Sequence, residues 1–157
     1  MEIFVLRHGE AEVNLFNDTE RRLTNRGRTQ LQDTINGCLN SLQGIETVYV
    51  SPYRRAQESF GVISPILNPA NSEIVDWLVP SASPRHALTQ LYDGCGNQWS
   101  QRVLLVTHLP FCADFVAMLC GIHPGAVQMP PATLAAVSTE VVAADCGQLK
   151  WLQSPPP

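Results

Sequence analysis

Apolar residues fill positions 3–6 without a break, and the run stops at Arg7 and His8. Two further runs share this form: "ETVYVS" at 46–51 and "RVLLVT" at 102–107. Unbroken rather than alternating runs suit central strands covered on both faces. Leu31, Ile35, Leu39 and Leu42 recur at spacings of four, four and three, which traces one face of an amphipathic helix. Residues 52–67 read as a helix with Pro52 at its start, where the missing N–H is harmless. "PRHALTQLYDG" at 84–94 reads as a helix ended by Gly94. "PFCADFVAMLCG" at 110–121 has Pro first and Gly last, the usual helix asymmetry. "TLAAVSTEVV" at 133–142 and "LKWLQ" at 149–153 read as edge strands, and the "SPPP" tail as frayed. There is no internal repeat and no linker. Strands alternating with helices predict one α/β domain over residues 1–157, a three-layer sandwich with a mainly parallel central sheet and helices on both faces.

Composition narrows this little but consistently. The chain has 157 residues, 45% of them hydrophobic, enough for a core with no metal or disulfide staple. No apolar run approaches the roughly 18–20 residues of a membrane span, and the start lacks the basic region and cleavage site of a signal peptide. A net charge of -4 gives no electrostatic reason to expect nucleic acid or a membrane as partner. The five cysteines form no CxxC pair, so reduced thiols in the cytoplasm are expected. Asn17 opens a glycosylation sequon that, without a secretion signal, carries little weight.

Charge placement says more. In open α/β sheets, ligands bind beyond the carboxyl ends of the strands. Here the first strand ends in Arg7, His8, Gly9 and Glu10, the second in "SPYRRA" with Arg54 and Arg55, and the third in His108. If these strands are parallel neighbours, arginines and histidines converge with no matching carboxylate run. That cluster asks for an anion, and phosphate suits the guanidinium fork. Taken singly, each residue reads as a solvated charge or a hydrogen-bonded histidine; it is the joint occurrence at three strand ends that points to a site. His86 and His123 read as surface residues, and Arg26, Arg28, Arg85 and Arg102 as solvated charges. Cys95 and Arg102 are one residue too far apart for a cysteine-phosphatase loop. No nucleotide P-loop is present, and "GCGNQW" at 94–99 lacks the preceding strand and third glycine of a dinucleotide site.

"RHGE" after a first strand resembles the signature of the histidine phosphatase superfamily. Four further elements match in order: Asn14 in "RHGEAEVN", "LTNRGRTQ" at 23–30, "SPYRRAQES" at 51–59, and "LLVTHLP" at 104–110. The short chain and the forms of these elements are most similar to the small bacterial phosphohistidine phosphatases. The resemblance implies that His8 is the nucleophile, phosphorylated and then hydrolysed. Arg7, Arg55 and His108 would surround the phosphoryl oxygens, and Arg21 or Arg22 would add a further phosphate contact, Arg21 taking the place of the arginine that relatives carry before "LT"; a solvated loop charge is the alternative reading of each. Physically, two nearby arginines disfavour imidazolium, and a backbone carbonyl is expected to fix the His8 tautomer.

Relatives that cleave phosphate esters use a carboxylate to protonate the leaving oxygen. Here "EIVDWLVPSASP" offers Asp76, with Glu73 close by, while the matching position holds Trp77 or Leu78. Glu10 and Glu12 are further carboxylates near the nucleophile. An imidazole leaving group, with a pKa near ~6.5, does not need such an acid. Residues 65–86 are too few for a cap, leaving a rim open to a protein side chain. The reading is therefore a metal-independent phosphohistidine protein phosphatase with no cofactor. The implied substrates are histidine-containing phosphotransfer domains or similar proteins of bacterial signalling or sugar transport, and inorganic phosphate is the product. Alternatives are a small-molecule phosphatase acting on sugar phosphates or nucleotides, with Asp76 as acid, and a non-catalytic phosphate-binding module. Two departures from the resemblance bear on the substrate: Arg22 stands where a proline is usual, and Arg54 is an extra arginine.

Overall fold

The computed structural model describes residues 1–95 and 101–157. In chain order the elements are β1 (Glu2–Arg7), α1 (Asn25–Gly37), β2 (Thr47–Val50), α2 (Arg54–Leu67), β3 (Asn71–Ile74), α3 (Pro84–Cys95), β4 (Arg102–Thr107), α4 (Phe111–Cys120), β5 (Leu134–Thr139) and β6 (Gly147–Gln153), with short 3-10 turns between them. The strands form one sheet in the order β3-β2-β4-β1-β5-β6. The β2–β3, β2–β4 and β1–β4 pairs are parallel, and β5 runs antiparallel to both its neighbours. The expected mainly parallel α/β sandwich is what forms.

Alternate strand residues feed two cores. Ile3, Val5, Val103, Leu105, Ala135 and Val137 meet α3 and α4 on one face. Phe4, Leu6, Val48, Val50, Leu104 and Val106 meet Leu31 and Ile35 of α1 and Ala56 and Ile63 of α2 on the other. Because both faces are covered, β1 and β4 need apolar side chains at every position, which explains their unbroken runs. Register then aligns the strand ends. Arg7 pairs with Thr107 and Val50 with Val106, so β1, β2 and β4 finish level at one rim.

Several boundaries differ from the sequence expectation. The first helix stops at Gly37, and Leu39–Leu42 form a separate 3-10 turn that still buries Leu42. The second begins at Arg54 rather than Pro52, carries Pro65 in its last turn, and ends at Asn68 with φ 46. β5 is shorter than the 133–142 run and is no edge strand: it lies between β1 and β6. The edge positions belong to β6 and to β3, which has no apolar pattern because all four of its residues are exposed. The tail is held at Ser154, whose hydroxyl meets that of Thr133 at 2.8 Å. Arg102 is not simply solvated: it pairs with Glu2 and lies 5.3 Å over the Phe4 ring. Between β3 and α3 there is only the short turn Asp76–Leu78, so no cap covers the rim. Among the described residues, no helix is long and apolar enough to cross a membrane.

Candidate active site

β1 and β4 deliver Arg7, His8 and His108 to the rim. The His8 backbone is clamped from both sides: its N–H donates to Thr107 O at 3.0 Å, and its carbonyl accepts from Ala132 N at 2.9 Å. The Arg7 N–H donates to Thr133 O, and its Nη1 donates to Met129 O at 2.8 Å. The turn leading into β5 therefore finishes the pocket wall.

The His8 ring has a defined tautomer. Nδ1 lies 2.6 Å from the Gly9 carbonyl, which can only accept. Nε2 lies 3.1 Å from Arg55 Nε, which can only donate. Nδ1 therefore carries the proton, and Nε2 keeps an unprotonated lone pair that accepts from Arg55 Nε–H. Burial, followed by the charges of Arg55, Arg7 and Arg21, pushes the His8 pKa down to about 3. The ring is neutral at physiological pH.

His108 is fully buried, with its ring centroid 5.0 Å from that of His8 and 5.1 Å from that of Tyr53. Its Nε2 lies 2.7 Å from Ser51 Oγ. Burial first, and then the neighbouring His8 and arginines, push its pKa down to about 2. Its Nδ1 and the Arg7 Nε are buried without a hydrogen-bond partner among the described residues, so both keep unused hydrogen-bonding capacity.

Arg55 sits in the first turn of α2, itself buried, with its guanidinium 5.1 Å over the Tyr53 ring. Ser59, one turn on, accepts from Gly9 N at 3.2 Å and donates to Arg55 O at 2.6 Å, tying the strand end to the helix. Arg55 Nη1 and Nη2 donate to Asp18, to its carbonyl at 2.6 Å and its Oδ2 at 3.2 Å. Asp18 Oδ1 accepts from Arg21 Nη1 at 3.2 Å, and Arg21 Nε donates to Glu12 O at 2.6 Å. One carboxylate thus bridges two guanidiniums. Burial alone would raise its pKa, but the hydrogen bond from Arg21 and the charge of Arg55 outweigh that and hold it below the usual carboxylate range.

Arg7, His8, Arg55 and His108 therefore converge, and Arg21 reaches the group through Asp18. The other residues of interest lie elsewhere. Arg54 pairs with Glu58 and Glu20, outside the pocket. Asp76 is exposed beyond the edge strand β3, in a groove with Pro52, Trp77 and Gln90, and no hydrogen bond or ion pair joins its carboxylate to the cluster among the described residues. Glu73 lies on exposed β3. Trp77 and Leu78 are core residues, and the Leu78 carbonyl accepts from Thr107 Oγ1 at 2.7 Å. Glu10 is occupied with Thr24 and Arg26. His86 and His123 are exposed, as expected. Among the described residues, no three His, Cys, Asp or Glu side chains are grouped to hold a metal.

Sequence reading missed Asp18, Ser51, Tyr53 and Ser59. Ser51 and Tyr53 follow β2 and share the strand-end signal. Asp18 lies in a loop with no periodicity to mark it.

Taken together, a cluster of neutral histidines and cationic arginines where the parallel strands β1, β2 and β4 end has the chemistry of a phosphate-handling α/β protein. The chain belongs to the histidine phosphatase superfamily. The model of branch 1 of that superfamily matches residues 3–76, a span that includes Arg7, His8, Arg21 and Arg55. The phosphohistidine phosphatase SixA of Escherichia coli is 31% identical over 99% of this chain and 94% of its own length. A SixA homolog from Haemophilus influenzae is 32% identical over 86% of each chain. The solved structure of the protein histidine phosphatase SixA complexed with tungstate superposes with a TM-score of 0.87 at 28% identity, covering 99% of this chain and 97% of that one. A phosphoserine phosphatase from Entamoeba histolytica, in complex with 3-phosphoglyceric acid, shares the fold at a TM-score of 0.70 and 15% identity, over 98% and 96% of the two chains.

Proposed function

We propose that this chain is a metal-independent phosphohistidine protein phosphatase, one catalytic domain working in the cytoplasm through a phosphoryl-His8 intermediate. The observation that carries this is the His8 ring itself, held neutral with its lone pair on Nε2 and its proton fixed on Nδ1 by the Gly9 carbonyl. A nucleophile of this kind needs no separate base.

In the first step, His8 Nε2 forms a bond to phosphorus and the P–N bond of the substrate breaks. The leaving imidazole takes a proton from solvent and departs neutral. Arg55 Nε–H, freed from Nε2, turns to a phosphoryl oxygen beside Arg7, Arg21 and the unpartnered Nδ1 of His108. In the second step, water attacks phosphorus, the P–Nε2 bond breaks, and inorganic phosphate leaves with His8 restored. Positioning and electrostatics supply most of the catalysis in such transfers. The core residues Trp77 and Leu78, where ester-cleaving relatives carry an acid, suit a leaving group that needs none. SixA holds tungstate, a tetrahedral oxyanion, in a closely similar fold. The unpaired thiols Cys38, Cys112, Cys120 and Cys146 suit a reducing compartment.

The test compares hydrolysis of a phosphohistidine protein and an aryl phosphate, in EDTA, by wild type, His8→Ala and Asp76→Asn. Wild type and Asp76→Asn should release phosphate from the protein, and His8→Ala should not. Arg55→Ala should lose on the order of 10²- to 10³-fold. Preference for the aryl phosphate together with an inactive Asp76→Asn would instead establish a small-molecule phosphatase.

A further inference from the structure

The loop between β1 and α1 is built like a short finger. At its root, Ala11 bridges Leu23 in antiparallel fashion, and Glu12 N donates to Arg22 O at 2.8 Å. At its tip, Asn14 Oδ1 accepts from the backbone N–H of both Phe16 and Asn17 at 3.0 Å, which fixes the turn. The tip is thus a defined shape, and it points three large apolar side chains away from the protein. Val13, Leu15 and Phe16 are 81%, 89% and 101% exposed. Single exposed apolar residues need no explanation, but three within four positions form a patch, and such patches mark contact sites.

Its position is specific. Phe16 is two residues from Asp18, so their Cα atoms lie within about 8 Å of each other. Asp18 bonds Arg55, and Arg55 bonds His8. Whatever seats a phosphoryl group on His8 from the open rim therefore passes beside this tip. A small phosphate compound has no apolar surface to offer it. A protein carrying phosphohistidine on its own surface does.

We infer that the apolar tip Val13–Leu15–Phe16 docks the substrate protein, seating an apolar patch next to the partner's phosphohistidine. This rests on the activity proposed above and names the surface that would make it selective for proteins. Charge favours that occupant over a lipid surface. Residues 12–20 contain no lysine or arginine, and the nearby Arg21, Arg54 and Arg55 are paired with Asp18 and Glu20, so the tip lacks the basic cluster that anionic headgroups recruit. An uncharged apolar contact ringed by polar residues is the usual anatomy of a protein interface, where a few large side chains carry most of the affinity.

The test uses the full chain with Val13, Leu15 and Phe16 all changed to Ser, which removes no buried packing. Two substrates are compared: a helical-bundle protein phosphorylated on an exposed histidine with phosphoramidate, and free N-phosphohistidine. For the triple variant, kcat/KM on the phosphoprotein should fall about tenfold or more, through KM. On free phosphohistidine it should stay within about twofold. Equal effects on both substrates, or none on either, would overturn the inference. So would wild-type self-association, or binding to vesicles of phosphatidylglycerol, that the triple variant abolishes, since a second copy or a membrane would then be the occupant. If wild type hydrolyses neither substrate, the proposed activity itself fails. If it hydrolyses both with the same KM, the activity stands and only the docking surface falls.

Discussion

Every edge of the Arg55 guanidinium is engaged: Nε by His8, and Nη1 and Nη2 by Asp18. Asp18 also holds Arg21, so a resident carboxylate sits beside the place where a phosphoryl group must bind. It orients both arginines, and it repels any dianion that joins them. Asp18→Asn keeps the shape and removes the charge. Its competitive inhibition constant for inorganic phosphate should fall three- to tenfold, as expected for one charge lost several Å away in a partly screened site. Its kcat should fall as well, because Arg55 loses half its fork. Unchanged phosphate inhibition would show that Asp18 has no such influence. At this scale the sequence was informative only where residues follow unbroken apolar runs. Arg7, His8 and His108 stand out for that reason, as do Arg54 and Arg55 as a pair, and only the family resemblance picks Arg55 from that pair. Asp18 does not stand out, because a side chain ten residues past His8 in an aperiodic loop reaches its partners only through the fold.

At the level of elements, the glycines of "RHG" and "LTNRG" explain each other. A Cβ on Gly9 would lie 2.5 Å from Gly27 O, and a Cβ on Gly27 would lie 2.2 Å from Glu10 O. The end of β1 and the first turn of α1 touch backbone to backbone, and Thr24 caps the helix there by accepting from Gly27 N at 2.9 Å. Gly27→Ala must push α1 off the strand end. It should cost about 2 kcal/mol or more in a urea titration, as overpacking does. It should also depress turnover, because the Gly9 carbonyl that orients His8 moves with the contact. Gly61→Ala in α2 is the control: nothing lies within 4 Å of its Cβ, so the change should be neutral or stabilise by about 0.5–1 kcal/mol. Element prediction failed in two instructive places. β3 has four exposed residues and so no apolar signature; hydrogen bonds to β2 alone make it a strand. β5 reads as an edge strand in the sequence, yet backbone pairing to β1 on one side and β6 on the other makes it an interior strand.

Across the whole molecule, the two buried neutral histidines couple folding to acidity. Their folded pKa values, about 3 and about 2, lie below the ~6.5 of an unfolded chain. Between those limits the unfolded state binds more protons, so stability rises with pH there. The contribution is complete above about pH 6.5 and is lost as pH falls toward 3. Each histidine should cost up to about 1.4 kcal/mol per pH unit below 6.5. Urea midpoints should therefore be flat from pH 8 to 7 and decline from 6.5 to 5, before carboxylates begin to titrate. His108→Gln should roughly halve that slope, whatever it does to absolute stability. An unaltered slope would mean that His108 is not the buried neutral group described. The layered architecture and the uncapped rim were legible because alternating runs and the short 65–86 segment dictate them. The contribution of 129–133 was not, since no charged motif marks that turn. Yet it is this turn that clamps Arg7 and His8. In the order of synthesis, the "RHG" segment precedes the turn that secures it by roughly 120 residues, and His108 precedes that turn as well. A ribosome-bound chain can therefore display every motif residue and still hold an unfinished site, so the nucleophile is armed only once the 129–133 turn has been made and has docked.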